Sequence, residues 1–362
     1  MRILARRHEI TLCHVGTTPA RADIVALASL GVPVEVIPVG RVVGWSRMLR
    51  GAWDRRPFES LPVAARHIRH RIVELADGVD VVHAQLVRSG PLLAGLHVPI
   101  VIDLVDALSM NLERRSSQDR GPRRWAAAWE SRRLLPYERS LVAAAAGTAV
   151  STSDDASAIA ASGIEVVPNG VDLDGFSFRP HPRPAPVVVF AGNLGYFPNV
   201  DAAVELANSI MPAVRKRVPA ARLVLAGARP ARAVRRLTSD HVTVVAEPDD
   251  LAPLVGAAAV AVVPMRVGTG IQNKVLEAMA AGTPVVTTKR VADAVGAVHA
   301  QHLLMADGAV DFADATVRVM TDVDLASSLA IAARRLVEEQ FPWEVSASGI
   351  ERLWERAAGL HR

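Results

Sequence analysis

The chain has 362 residues, half of them apolar and 22% charged, with a net charge of +4. That length suits two domains better than one, and the apolar fraction excludes wholesale disorder. The single cysteine, Cys13, excludes a disulfide scaffold and a cysteine-based zinc site, and apolar stretches such as 256–265 are too short to span a membrane.

Read in chain order, the first half offers β-branched runs at 9–15, 32–38, 80–85, 100–106 and 164–168. They are apolar on both faces rather than alternating, which is the pattern of parallel strands covered by helices. Cys13 falls in the first run and reads as a buried structural thiol. Between Arg41 and Arg71 eight arginines stand against two acids, Asp54 and Glu59, interleaved with Trp45, Trp53 and Phe58. Basic residues beside tryptophan suit an anionic membrane surface, and they suit an ordinary solvated face as well. Residues 1–150 carry 21 arginines and 14 acids, whereas the remainder is net −3. No recognition module for nucleic acid accompanies the basic excess, so no nucleic-acid partner is expected.

The segment Arg179-Pro-His-Pro-Arg-Pro-Ala-Pro186 continues neither a helix nor a central strand, so 178–186 reads as a linker. A second series of strand-like runs follows at 187–192, 222–227, 242–246, 260–264 and 284–288, with helical stretches such as 201–218 and 271–281 between them. Two such series predict an α/β chain of two doubly wound, Rossmann-like domains facing a cleft. The expected limits are 1–177 for the first domain and 187–340 for the second. A helix over 341–362 is expected to return to the first.

The densest chemical signal is Pro264-Met-Arg-Val-Gly-Thr-Gly-Ile-Gln-Asn-Lys-Val-Leu-Glu-Ala-Met-Ala-Ala-Gly-Thr-Pro284. It reads as strand, glycine loop, helix, glycine stop and strand. Ile271, Val275 and Met279 recur every four residues as a buried stripe. Gly282 stands where a helix ends, and Pro284 prevents continuation. Gly268 and Gly270 let the backbone approach a ligand, and the first amides of the helix then form an anion site. Lys274 in the first turn opposes the helix dipole, which makes sense where an anion binds. Glu277 can accept two hydroxyl hydrogen bonds, as a ribose diol offers. The competing use of Lys274 and Glu277 is a surface ion pair.

This segment resembles the donor site of retaining GT-B glycosyltransferases of the glycosyltransferase 4 (group 1) family. Val167-Pro-Asn-Gly-Val-Asp172, Phe190-Ala-Gly-Asn-Leu-Gly-Tyr-Phe-Pro-Asn199, Asp80-Val-Val-His83 and Phe341-Pro-Trp343 are similar to further family segments, particularly in a bacterial branch associated with polysaccharide and sugar-transfer clusters. The resemblance implies metal-independent transfer of a sugar, with retention, from a UDP- or GDP-linked donor to a hydroxyl acceptor, a hexosyltransferase-like activity needing no cofactor. It gives Glu277 the nucleotide ribose. It brings Lys274 and the amides around Gly268, Thr269, Gly270 and Ile271, beside Asn273, to the diphosphate and sugar. Gly192 and Asn193 line the phosphate side, and Arg266 is a diphosphate contact. His83 and Asp106 are first-domain candidates for orienting the acceptor or polarising the reacting centre, with a helix N-cap as the competing use of Asp106. Asp172-Leu-Asp174 reads as a linker turn rather than a metal motif, and no metal site is expected.

Three departures from the family pattern stand out. Eight positions before Glu277, where many relatives carry a second glutamate, stands Thr269. The arginine and lysine common in the loop after the second domain's first strand are replaced by Asn193-Leu-Gly-Tyr-Phe. Family members begin with a strand and a glycine-rich loop, followed by a helix that ends in text like Leu4-Ala-Arg-Arg-His-Glu9, so the first strand and loop are expected to be missing here and Met1 to fall inside the helix. A catalytically impaired nucleotide-sugar-binding protein and a GT-B sugar-nucleotide epimerase are the alternatives to a transferase. The expected location is the cytoplasm, with the inner face of the membrane as a docking surface.

Overall fold

A computed structural model describes residues 1–39, 57, 58, 63, 65–118, 121–179, 183, 185–266 and 270–359. The chain divides into two compact units, one of Met1–Pro168 with Glu344–Arg362 and one of Asn169–Trp343. Both are built from parallel strands and helices, as the runs apolar on both faces predict.

The first unit holds two sheets. Strands β1 (Leu12–Gly16) and β2 (Val34–Pro38) pair in parallel. Strands β3 (Val82–Gln85), β4 (Ile100–Asp103), β5 (Gly147–Val150) and β6 (Ile164–Val166) form a second parallel sheet in sequential order. Among the described residues no strand joins the two sheets, and every residue of β1 is half-buried, Cys13 included. Helix Arg66–Leu75 packs Ile68 and Ile72 against Ile37, Cys13 and Leu92. The start differs from the expected helix: Leu4–Arg6 form a single 3-10 turn. So short a stretch cannot nucleate an α-helix alone. Instead, Arg7 and His8 bond Glu351 at 2.7 and 2.8 Å.

Helix Trp343–Ala357 supplies most of the last segment of this unit. Its Ile350, Leu353 and Trp354 cover Val101 and Ala149 of the four-stranded sheet, and Gly349 lets Val167 approach to where a side chain would stand.

The second unit is a six-stranded parallel sheet in the order β9-β8-β7-β10-β11-β12. The strands are β7 (Val187–Ala191), β8 (Arg222–Gly227), β9 (Val242–Ala246), β10 (Val260–Val263), β11 (Val285–Thr287) and β12 (Leu304–Met305). In chain order this is 3-2-1-4-5-6, so strand order reverses between β7 and β10. The core is aliphatic, with every residue of β10 and β11 buried.

The division between the units falls at Pro168–Asn169 rather than at 178–186. Val171 N–H donates to Phe341 O at 2.8 Å and Arg179 N–H to Ala281 O at 3.1 Å, which attaches this stretch to the second unit. The helical stretch expected over 201–218 begins earlier, at Phe197, and is interrupted by one π turn at Leu206–Ile210 before Met211–Arg217 completes it.

Candidate functional site

Ligands in open parallel sheets bind beyond the carboxyl ends of the strands, where strand order reverses. In the second unit that point lies after β7 and β10. Gly192 and Asn193 follow β7, while Arg266, Gly270 and the helix Asn273–Ala280 follow β10. The sequence-predicted donor residues Gly192, Asn193, Gly270, Ile271, Asn273, Lys274 and Glu277 therefore belong to one switch point. Gly268 and Thr269 lie outside the described residues.

Gly192 adopts φ +143° and packs at the end of β7 against Gly227, where a side chain at Gly227 would collide with Gly192 O. Only glycine at position 227 permits that approach. The turn after it is held from within: Asn193 Oδ1 accepts Gly195 N–H at 3.0 Å, and Asn199 Nδ2 donates to Asn193 O at 2.9 Å. Asn199 is 5% exposed, and its Oδ1 has no partner among the described residues. Sequence reading missed Asn199, whose signal is the Asn-Leu-Gly turn six residues before it.

Among the described residues the helix Asn273–Ala280 starts at Gln272 with no side-chain cap. Val275 N–H bonds Gln272 O at 2.8 Å, and the amides before it are the ones an anion could meet. It ends as the sequence predicts. Gly282 stands at φ +70°, with Gly282 N–H on Met279 O at 3.2 Å and Thr283 N–H on Ala278 O at 2.8 Å. Ile271, Val275 and Met279 are buried.

Lys274 turns inward. Its Nζ donates to Gln272 Oε1 at 2.9 Å and sits 5.6 Å from the centre of the Phe190 ring. Burial pulls the ammonium down to about 8, against a smaller upward pull from Glu277. Burial likewise raises the Glu277 carboxyl, and Lys274 offsets part of this. No ion pair joins the two among the described residues, so the surface-pair use does not arise. Asn273 Oδ1 accepts Asn169 Nδ2 at 3.1 Å, which ties the first residue of the second unit to this helix.

Arg266 is placed differently. It reaches Asp201 Oδ2 and Glu205 Oε2, each at 3.1 Å, across a shallow groove also lined by Val204, Asn208 and Ser209. The guanidinium expected at the diphosphate is thus neutralised by two carboxylates of the neighbouring helix. Its backbone is fixed too, with Arg290 Nη1 donating to Arg266 O at 3.1 Å.

His83 and Asp106 belong to the first unit. Trp354 Nε1–H donates to His83 Nδ1 at 3.0 Å, so neutral His83 carries its proton on Nε2. Burial lowers this imidazole to about 4. Asp106 follows β4 and accepts Ser151 Oγ–H at 3.3 Å. It does not cap the helix Leu108–Gln118. Asp155 Oδ1 holds Ala107 N–H at 2.9 Å and Glu138 Oε1 holds Ser109 N–H at 3.1 Å. Burial first, and then the charge of Asp155, raises Asp106 to about 7.

Residues 185–322 match the family described as Glycosyl transferases group 1. The matched residues lie within the second unit. No curated protein matches the sequence. Among solved structures, sucrose-phosphate synthase from Thermosynechococcus elongatus aligns with a TM-score of 0.75 at 18% identity, covering 99% of this chain and 92% of that one. Anabaena Alr3699/HepE, solved in complex with UDP and glucose, gives 0.69 at 15% identity, covering 95% and 98%. A glycosyltransferase from Rickettsia africae gives 0.62 at 13% identity, covering 97% and 99%. At these identities the likeness establishes the fold, which is GT-B. The domain match and the fold together support a GT-B glycosyltransferase.

Proposed function

We propose that the chain transfers a sugar from a nucleotide-diphospho-sugar to a hydroxyl acceptor, with retention and without a metal ion. The observation that carries this reading is the half-buried, inward-turned ammonium of Lys274, held on Gln272 Oε1, in the first turn of a helix at the reversal point of a 3-2-1-4-5-6 sheet. A cation is unfavourable there unless an anion is bound. Two phosphates meet that need, and the Glu277 carboxylate, which meets no hydrogen-bond or ion-pair partner among the described residues, is available to the ribose hydroxyls. The group 1 domain supports the same donor class. The Anabaena structure with UDP favours a uridine nucleotide, with GDP the second candidate.

The chemistry follows from charge. Breaking the bond between the anomeric carbon and the diphosphate oxygen places negative charge on the leaving group. Lys274 and the helix amides stabilise that charge more strongly in the transition state than in the ground state. The acceptor oxygen forms the new bond on the same face, and its proton passes to the leaving diphosphate. His83 and Asp106 belong to the acceptor side by the family resemblance. His83 is a neutral Nε2–H donor at pH 7, and Asp106 exchanges its proton near that pH.

The test is thermal unfolding with UDP, GDP, ADP and dTDP. A nucleotide at 100 times its dissociation constant stabilises the fold by about 2.7 kcal/mol. One nucleotide is expected to raise the midpoint in the wild type and not in Glu277→Ala. Turnover of the matching donor is expected to fall roughly 10²-fold in Lys274→Ala. Midpoints indifferent to every nucleotide would remove the donor site. Donor hydrolysis or isomerisation without an acceptor would replace the transferase by an epimerase.

A further inference from the structure

The longest helix of the first unit, Pro122–Ala144, turns both its carboxylates inward: Glu130 is 8% and Glu138 0% exposed. Its opposite face is a single stripe. Trp125, Trp129, Arg132, Pro136 and Arg139 are all exposed on it, with Arg124 and Ala126 alongside. Trp125 is 75% exposed, the most of any large apolar residue described, and Trp129 is 44% exposed. No acid of the helix interrupts this face.

The inner side of the stripe is firmly built. The Arg133 guanidinium stands 4.2 Å from the Trp129 ring centre and 5.1 Å from that of Phe58, and the two rings lie 5.4 Å apart. Glu130 pairs with Arg133 at 3.4 Å and accepts the Phe58 N–H. Trp129 is thus fixed in orientation while its outer edge faces water. Among the described residues the guanidinium groups of Arg124 and Arg132 meet no hydrogen-bond or ion-pair partner.

We propose that this face docks on an anionic lipid bilayer, with Trp125 and Trp129 entering the headgroup region and Arg124 and Arg132 meeting lipid phosphates. Tryptophan is favoured at that depth because its ring is apolar and its N–H is polar. Arginine adds attraction to anionic lipid. The face lies along one helix and belongs to a stretch, residues 1–150, with 21 arginines and 14 acids. The residues differ from the stretch between Arg41 and Arg56, which lies outside the described residues, and the proposal stands apart from the donor site.

The experiment is vesicle flotation of the full chain with phosphatidylcholine alone and with an equal mixture of phosphatidylcholine and phosphatidylglycerol. The wild type is expected to float with the mixed vesicles only. Trp125→Ser combined with Trp129→Ser is expected to float at least about tenfold less, as is Arg124→Glu combined with Arg132→Glu. The arginine variant and Trp125→Ser alone should keep the wild-type thermal midpoint, because those side chains are exposed, and Trp125→Ser alone should already float less. The double tryptophan variant also loses the Trp129 stack on Arg133 and Phe58. Flotation of the tryptophan variant at the wild-type level would overturn the proposal. So would a wild type that ignores the mixed vesicles, whether or not it self-associates through the two tryptophans.

Discussion

The Cε of Lys274 lies 3.1 Å from the point where a side chain at Gly192 would begin, and Asn199 Nδ2 lies 3.3 Å from the same point. Three elements of the second unit therefore meet at a space that only glycine leaves open. Gly192→Ala is expected to displace both side chains and to strain a backbone at φ +143°. The expected cost is about 1–3 kcal/mol of stability, with loss of nucleotide binding. Chemical denaturation and a nucleotide titration check it, and unchanged binding would remove Gly192 from the site.

With a diphosphate bound as proposed, Lys274 is expected to make nucleotide affinity depend on pH. Its ordinary value is 10.5, and burial lowers it to about 8 in the folded chain. The folded state thus bears the cost of a buried charge in full below pH 8, and that cost is relieved between pH 8 and 10.5. A bound diphosphate favours the charged ammonium, so binding takes up a proton above pH 8. Affinity is expected to weaken as pH rises through 8 in the wild type. In Lys274→Met it should be weaker throughout and flat over that range, measured by calorimetry in buffers of differing ionisation heat.

Asp106 gives the opposite slope. Its folded carboxyl lies at about 7, above the ordinary 3.8, so the folded state binds the proton more tightly than the unfolded one. Its contribution to stability is lost as pH rises from about 4 to 7. Asp106→Asn keeps an acceptor for Ser151 and removes the charge. It is expected to stabilise the chain by roughly 2 kcal/mol at pH 8 and by little at pH 4. Equal midpoints at pH 8 would contradict the burial of this charge.

Trp354→Phe tests the contact on His83. The imidazole lies near 4 instead of 6.5, so it supplies stability that is lost as pH falls through that interval. Removing the indole N–H leaves Nδ1 unpaired and withdraws a bond that favours the neutral ring. The His83 titration, followed by NMR, is expected to move upward, with a stability loss of about 1 kcal/mol. An unmoved titration would show that the bond does not hold the ring.

The readable features of the site were local ones. Gly282, Val275 and Met279 fall at the end and on the buried stripe of one helix, and each depends on residues within a turn or two of itself. Strand β5, by contrast, hides in Leu-Val-Ala-Ala-Ala-Ala-Gly-Thr-Ala-Val, where alanine carries no β signal until Thr148. Strand β12 is two residues long and is fixed by pairing with β11 alone. Gly268 and Thr269, read as part of the anion loop, lie outside the described residues.

By itself the sequence determined the alternation of parallel strands and covering helices, and it placed Lys274 and Glu277 in the first turns of the helix that follows the glycine loop. Spacing along the chain decides these, through backbone geometry and apolar periodicity. Only the tertiary structure decided partners. Arg266 meets Asp201, 65 positions away, Asp155 rather than Asp106 holds the amide of Ala107, and Trp354 reaches back 271 positions to His83. A charged or polar side chain takes whichever counterpart folding leaves nearby in a desolvated setting. That choice depends on which helices pack together, so it is absent from any local stretch of the sequence.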